Sequence, residues 1–339
     1  MYDLILHIGA SKAGSSAIQD FLRRNKNIFR ELGYIIPDKN LGLSEKVTGE
    51  HVFALQNFFD DSDSAGLTSA ISALIGEENN HTVILSAENI SNLDNYKYFR
   101  KTCKRFRVKI IFYIRRQDEF FSSAWQQWYS KIYSDMYAWL ISSMNKIGNW
   151  KSTIEDWESL VGKQNIKVRI FDQSEFSKGN ICFDFIECLG RKKDLDLFDY
   201  AAKPVNPSYN EMITDLVSGN KAIFKNINDH DFYEMIKDLS GEEYIADTKV
   251  SLMSRGVRDS IMSYFSDQNN IVCKRYFPNR DALFKPIDHS KYIYLSDSQK
   301  LDKKLDFLTT MIYGLYRSMK ANEKHDGVAI PQAQNKETE

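Results

Sequence analysis

The stretch that most constrains this chain is residues 4–16, LILHIGASKAGSS. An apolar run (Leu4, Ile5, Leu6, Ile8) enters a loop punctuated by Gly9 and Gly14. The loop empties into a helical pattern with apolar residues at Ile18, Phe21, Leu22, Phe29 and Leu32, which Gly33 is placed to close as a C-cap. Strand, glycine loop and helix in this order turn backbone N–H groups inward. The helix start adds its own unpaired N–H groups and the positive end of its dipole. The product is an anion cradle, most often for phosphate. A turn of the same spacing that binds nothing is the alternative.

The glycine spacing is that of the nucleotide-triphosphatase loop G-x-x-x-x-G-K-[ST], but the lysine is elsewhere. The eight residues are Gly9, Ala10, Ser11, Lys12, Ala13, Gly14, Ser15 and Ser16. Lys12 sits inside the loop, and Ser15 fills the slot after the second glycine. This shifted form resembles the 5′-phosphosulfate loop of sulfotransferases, which use 3′-phosphoadenosine 5′-phosphosulfate (PAPS) as donor. The family wording is close to H-I-G-x-x-K-T-G-[ST]-[ST]-x-x-Q. His7, Ile8, Gly9, Lys12, Gly14, Ser15, Ser16 and Gln19 match it, with Ala13 in place of the usual threonine.

Two further strand ends bear on the same chemistry. Residues 108–114, VKIIFYI, form the strongest strand pattern and stop at Arg115-Arg116-Gln117-Asp118. The helix that follows carries Phe120, Phe121, Ala124, Trp125 and Trp128 on one stripe, while Ser123 lies off it, so packing does not explain the serine. Strand, Arg, seven residues, Ser, x and an aromatic resembles the 3′-phosphate motif of the same enzymes. Gln117 stands where the family usually has proline. Residues 82–85, TVIL, read as a buried strand ending in Ser86-Ala87-Glu88-Asn89. Ligands of open α/β sheets lie outside the carboxyl ends of strands, so Glu88 is placed to reach the site of Lys12.

The resemblance implies roles. Gly9, Ala10, Lys12, Ala13, Gly14, Ser15 and Ser16 would hold the 5′-phosphosulfate, and Arg115 and Ser123 the 3′-phosphate. Lys12 would meet the charge that grows on the leaving diphosphate. Glu88 would be the general base for the acceptor, with His51, at the head of a short apolar helix (Val52, Phe53, Leu55, Phe58), as the second candidate. No metal is expected, because lysine and backbone dipoles meet the charge and no acidic metal-holding residue adjoins the loop serine. The segment Tyr34-Ile35-Ile36-Pro37 and residues 273–284, CKRYFPNRDALF, are similar to a bacterial carbohydrate-type subgroup. That points to a glycan acceptor, with a small phenol or a lipid as alternatives. Arg275 and Arg280 are candidates for anions there, or solvated surface. An N-x-S segment at Asn206-Pro207-Ser208 also recurs in the family near the donor and could cap a helix.

The expected fold is α/β, a P-loop-type three-layer fold with a central, mainly parallel sheet and a helix-rich C-terminal half. Residues 166–171 supply another strand and 181–189 a helix closed by Gly190, whereas beyond Glu211 only 292–295 has a strand pattern. Trp139, Trp150 and Trp157 fit the core of amphipathic helices. One domain is expected over 1–320, with a flexible tail over 321–339. A net charge of −1 by itself suggests no polyanion partner, so no nucleic acid is expected, while a local basic site stays open because net charge averages over the surface. Four cysteines and six histidines show no metal spacing, and Cys182 and Cys188 read as buried thiols. No run of ~18 apolar residues could span a bilayer, so the cytoplasm is the default location. Two rival readings remain: a P-loop kinase or phosphotransferase, which needs lysine after Gly14, and a catalytically silent nucleotide-binding protein, which would tolerate loss of Lys12, Arg115 and Glu88.

Overall fold

The computed structural model describes residues 2–10, 12–44, 46–77, 81–201, 210–240 and 250–325. Ser11, the Asn206-Pro207-Ser208 segment and residues 326–339 of the expected tail lie outside them. Residues 321–325 end the C-terminal helix Asp297–His325.

The chain gathers into two compact units. The first comprises Met1–Ala124, Tyr137–Asn206 and Gly256–Ile287. Its sheet contains β1 (Leu4–His7), β2 (Tyr34–Ile35), β3 (Thr82–Ser86), β4 (Val108–Ile114) and β5 (Ile166–Ile170), in the order β2-β3-β1-β4-β5. Every pairing is parallel. Parallel strands are covered on both faces, which is why β1, β3 and β4 are near-continuous apolar runs, whereas the edge strand β5 alternates, with Lys167 exposed. β1, β3 and all of β4 except Lys109 are buried.

Strand order and register together build the site. β1 lies between β3 and β4, so the turns that leave all three strands are neighbours. His7 pairs with Ser86 at the end of β3, but with Ile111 three residues before the end of β4. The loop after β1 therefore climbs alongside β4: Ile8 N–H donates to Ile111 O (3.0 Å) and Ala10 N–H to Tyr113 O (3.1 Å). That rise brings the loop level with Arg115.

The helix predicted to run to Gly33 is broken at Asn25 into α1 (Ser15–Arg24) and α2 (Lys26–Glu31). The Asn25 side chain donates to Phe21 O and Asp199 O and accepts from Asp199 N–H, so it leaves the helix to anchor a distant segment. Helix α3 (Val52–Asp60) buries Ala54, Leu55 and Phe59, while Phe53 is 78% exposed. Then come α4 (Ser64–Glu77), α5 (Arg100–Arg105), α6 (Gln117–Gln127), α7 (Met136–Ser143), α8 (Trp150–Val161) and α9 (Ile181–Cys188). Trp139, Trp150 and Trp157 are buried, as are the Cys182 and Cys188 thiols.

The second unit comprises Trp125–Met136, Pro207–Arg255 and Asp288–Glu339. Its α10 (Glu211–Leu216) and α11 (Asp231–Ser240) contribute Ile213 and Ile236 to a core with Phe307 and Met311 of the C-terminal helix. A two-residue strand β6 (Val250–Ser251), too short to show a pattern, pairs in parallel with β7 (Ile293–Tyr294). Among the described residues no helix is long and apolar enough to cross a membrane.

Candidate active site

All of the candidate side chains described below belong to the first unit. The loop is held in shape by glycine where nothing larger fits. Gly14 precedes α1 with φ +81°, and a Cβ there would stand 2.5 Å from Ile181 Cδ1 and 2.6 Å from Phe171 Cε2. Lys12 also adopts a left-handed backbone (φ 66°), a conformation that costs a non-glycine residue of order 1–3 kcal/mol and gathers at functional sites. The two left-handed residues wind the loop so that α1 opens directly under it.

The Lys12 carbonyl accepts from Arg115 Nη1 (2.8 Å), which ties the loop motif to the β4 motif. Burial pushes the Lys12 ammonium down to about 8; the Arg115 charge adds to the shift and the Glu88 charge opposes it. Lys12, Arg115 and Glu88 therefore sit in one electrostatic field, although their Cα positions are far apart in sequence. Ala13 is fully buried.

Arg115 is held from several sides. Its Nε donates to Glu119 Oε2 (3.2 Å), its guanidinium lies 5.4 Å from the centre of the Phe171 ring, and its carbonyl accepts from Trp150 Nε1 (2.8 Å). Glu119 and Ser123, four residues apart, lie along one side of α6, which begins two residues after Arg115. Ser123 is 8% exposed. Glu119 escaped the sequence reading; the i, i+4 spacing from Arg115 was the available signal. Arg116 is engaged elsewhere, with Asp118 (2.6 Å) and Glu119 (3.0 Å), and the buried Asp118 also takes Arg258 (3.0 Å). Gln117 is fully buried and exchanges amide hydrogen bonds with Asn269 (2.8 and 3.0 Å), a contact that proline could not make. Arg275 and Arg280 form ion pairs with Glu158 and Glu175.

Glu88 opens a 3₁₀ turn (Glu88–Ser91) directly after β3 and is half-buried. Ser91 Oγ donates to Glu88 O (2.8 Å) and reaches Gly9 O (3.5 Å), fastening this turn to the loop. A second carboxylate stands close by. Burial, and then the Glu88 charge, raise the Glu50 carboxyl above its ordinary value. Sequence reasoning passed over Glu50; its position beside His51 was the only hint.

His51 does not present a free nitrogen to a substrate, which corrects its candidacy as base. Its Nε2–H donates to Pro37 O (3.1 Å) and its Nδ1 accepts from Ser86 N–H (3.1 Å), with the residue 1% exposed. It is a buried brace between β3 and the segment after β2.

Beneath the loop, three buried polar atoms have no hydrogen-bond partner among the described residues: His7 Nε2, Ser15 Oγ and Gln19 Nε2. A Cβ on Gly9 would lie 2.6 Å from Ser15 Oγ and 3.0 Å from His7 Nε2, so glycine leaves these atoms their space. His7 Nδ1 shares a 2.7 Å hydrogen bond with Ser86 Oγ. Burial pushes the His7 imidazole down to about 3, so it is neutral wherever the protein is folded. The unfolded chain gains this proton near pH 6.5. Stability from this group is therefore complete above pH 6.5 and falls as the pH drops toward 3, by up to roughly 5 kcal/mol in all. Urea unfolding at pH 7, 6, 5 and 4 should show this acid loss in the wild type and a shallower one in His7→Gln. Parallel profiles would assign the loss to other groups.

Comparison with known proteins adds little. No family model matches the chain. Over 110 residues it is 30% identical to an uncharacterized protein of Archaeoglobus fulgidus, covering 32% of this chain and 30% of that one. The chain thus spans under a third of that relative's length. Among solved structures, a sulfotransferase from Alicyclobacillus acidocaldarius is similar over 83% of this chain and 97% of its own, with a TM-score of 0.40 and 11% identity.

Proposed function

We propose that this protein is a sulfotransferase that moves a sulfuryl group from PAPS to a hydroxyl or amine, with a carbohydrate as the acceptor class. The observation that carries the reading is the meeting of Lys12, Arg115 and Glu88: one cation inside an anion loop, a second bonded to the loop's carbonyl, and a carboxylate in the same field.

In this reading the loop and the first turn of α1 take the 5′-phosphosulfate, because the first N–H groups of a helix have no intrahelical acceptor. Ser15 Oγ and Gln19 Nε2, both buried without partners among the described residues, are further polar groups available at its base. Arg115 and Ser123 take the 3′-phosphate, and Glu119 holds the guanidinium until the ligand arrives. Glu88 accepts the acceptor's proton as the new oxygen–sulfur bond forms. The sulfur–oxygen bond to the donor phosphate breaks, and Lys12 meets the charge left on the departing 3′,5′-diphosphate. A kinase would need a lysine after Gly14, where the buried Ser15 stands.

Calorimetric titration tests this. PAPS and the 3′,5′-diphosphate should bind more tightly than ATP; equal or tighter binding of ATP would sink the reading. Arg115→Ala should weaken ligands that carry a 3′-phosphate about ten- to hundredfold, the loss of a charged hydrogen bond. Adenosine 5′-phosphosulfate, which lacks that group, should lose nothing. Ser123→Ala should show the same selectivity on a smaller scale. An equal loss on both ligands would reduce Arg115 to a brace for the Lys12 carbonyl.

A further inference from the structure

His7 ends β1 directly before the loop, and three contacts fix its ring. Nδ1 shares the hydrogen bond with Ser86 Oγ, and the ring meets Tyr113 (5.8 Å between centroids) and Phe185 (5.7 Å) edge to face. The imidazole cannot turn without breaking these contacts, so Nε2 has one direction. It lies 3.0 Å from the point where a Cβ on Gly9 would stand, and Ser15 Oγ lies 2.6 Å from the same point. Both atoms are buried, and neither has a partner among the described residues. Ser15 is the first residue of the ten-residue α1, where the helix draws an anion. Two unpaired buried polar atoms at one gap, each costly to leave so, mark a hydrogen bond that is completed in another state.

We propose that His7 is a positioning residue for the donor's 5′-phosphate: in the complex its Nε2–H donates to Ser15 Oγ and so turns the one proton of the serine toward the anion. This rests on the reading of the loop as the donor-phosphate site. A serine hydroxyl has one proton and two lone pairs. Spent on His7, that proton would leave lone pairs facing the phosphate. Supplied from behind by Nε2–H, the oxygen keeps its proton for the ligand. Burial keeps the ring neutral, so it carries a single N–H. Placing that proton on Nε2 obliges Nδ1 to accept, and the Ser86 hydroxyl is the donor that permits it. The chain then runs from Ser86 Oγ–H to Nδ1, from Nε2–H to Ser15 Oγ, and from Ser15 Oγ–H to a phosphate oxygen. Rotation of the Ser15 side chain about Cα–Cβ closes the remaining gap, and the missing Cβ of Gly9 leaves the space for it.

Calorimetric titration of the full chain with two ligands tests this: adenosine 3′,5′-diphosphate, and adenosine 3′-phosphate, which lacks the 5′-phosphate. An asparagine amide places its nitrogen near the Nδ1 position of a histidine, and a glutamine amide places its nitrogen near Nε2. His7→Asn should therefore weaken the diphosphate about three- to tenfold, the scale of one hydrogen bond, and leave adenosine 3′-phosphate unchanged. His7→Gln should restore most of that affinity. Ser15→Ala combined with His7→Asn should lose no more than Ser15→Ala alone, because the histidine acts through the serine. Imidazole nitrogen shifts of the wild type bound to the diphosphate should place the His7 proton on Nε2, a readout that needs no variant to fold. A proton on Nδ1 in that complex, additive losses, or equal losses on the two ligands would overturn the proposal. A wild type that prefers ATP would sink the PAPS reading alone, and the same coupling would then be read on ATP against adenosine. A wild type that binds no phosphate ligand would overturn both.

Discussion

Lys12→Ala is expected to lower turnover about 10²–10³-fold with every acceptor tested, the scale of losing one preorganised group aimed at developing charge. The leaving group is the same whatever the acceptor, so the loss should be uniform, and a more acidic acceptor should not restore it. The pH dependence supplies a second signature. The folded-state Lys12 carries its charge below about pH 8 and loses it above. Affinity for the 3′,5′-diphosphate should therefore decline as the pH rises through that region, with the inflection displaced upward to the extent that the bound anion favours the ammonium. Titrations from pH 6.5 to 9.5 should show the decline in the wild type and a flat profile in Lys12→Ala. A variant with wild-type turnover, or an inflection that survives in it, would remove Lys12 from the reaction.

Glu88→Gln is expected to cost ~10²–10⁴-fold in turnover on a sugar hydroxyl, the usual range for a lost general base, with donor affinity at pH 7 close to wild type. The choice of pH matters. The Glu88 charge supports the protonated form of Lys12, so removing it shifts the lysine further down and would confound binding above neutrality. A phenol acceptor, partly ionised at high pH, should recover much of the lost rate in Glu88→Gln and none in Lys12→Ala. Losing the Glu88 charge should also let the Glu50 carboxyl fall toward its ordinary value, since that charge is part of what raises it. Near-wild-type turnover of Glu88→Gln on the sugar would rule Glu88 out as base. The role would then pass to Glu50 rather than to His51, whose two nitrogens are already taken by backbone groups.

Much of the architecture was legible in the sequence because its causes are local. Buried parallel strands are near-continuous apolar runs, and β1, β3 and β4 each lie within a stretch readable as such, while the edge strand β5 alternates apolar and charged residues. Gly9 and Gly14 mark the loop because left-handed or crowded backbone excludes other residues there. Placing Glu88 and Arg115 beside Lys12 followed from strand-end logic, and the electrostatic coupling of the three residues agrees with it.

What only the tertiary structure decided depends on partners distant in sequence. The break at Asn25 is set by Asp199, not by any helix-stopping residue nearby. The sequence marks α3 as apolar without choosing its face; packing buries Ala54, Leu55 and Phe59 and leaves Phe53 exposed. Nothing local distinguishes a histidine with free nitrogens from one whose lone pair and N–H are both spent on backbone, as in His51. Nor does sequence show that Glu50 shares the field of a glutamate thirty-eight positions away, or that Asn269 bonds the buried Gln117 amide. Pattern and punctuation determine which elements form. Hydrogen-bond satisfaction, burial and charge proximity, all set by how those elements pack, determine which of their side chains are left free to act.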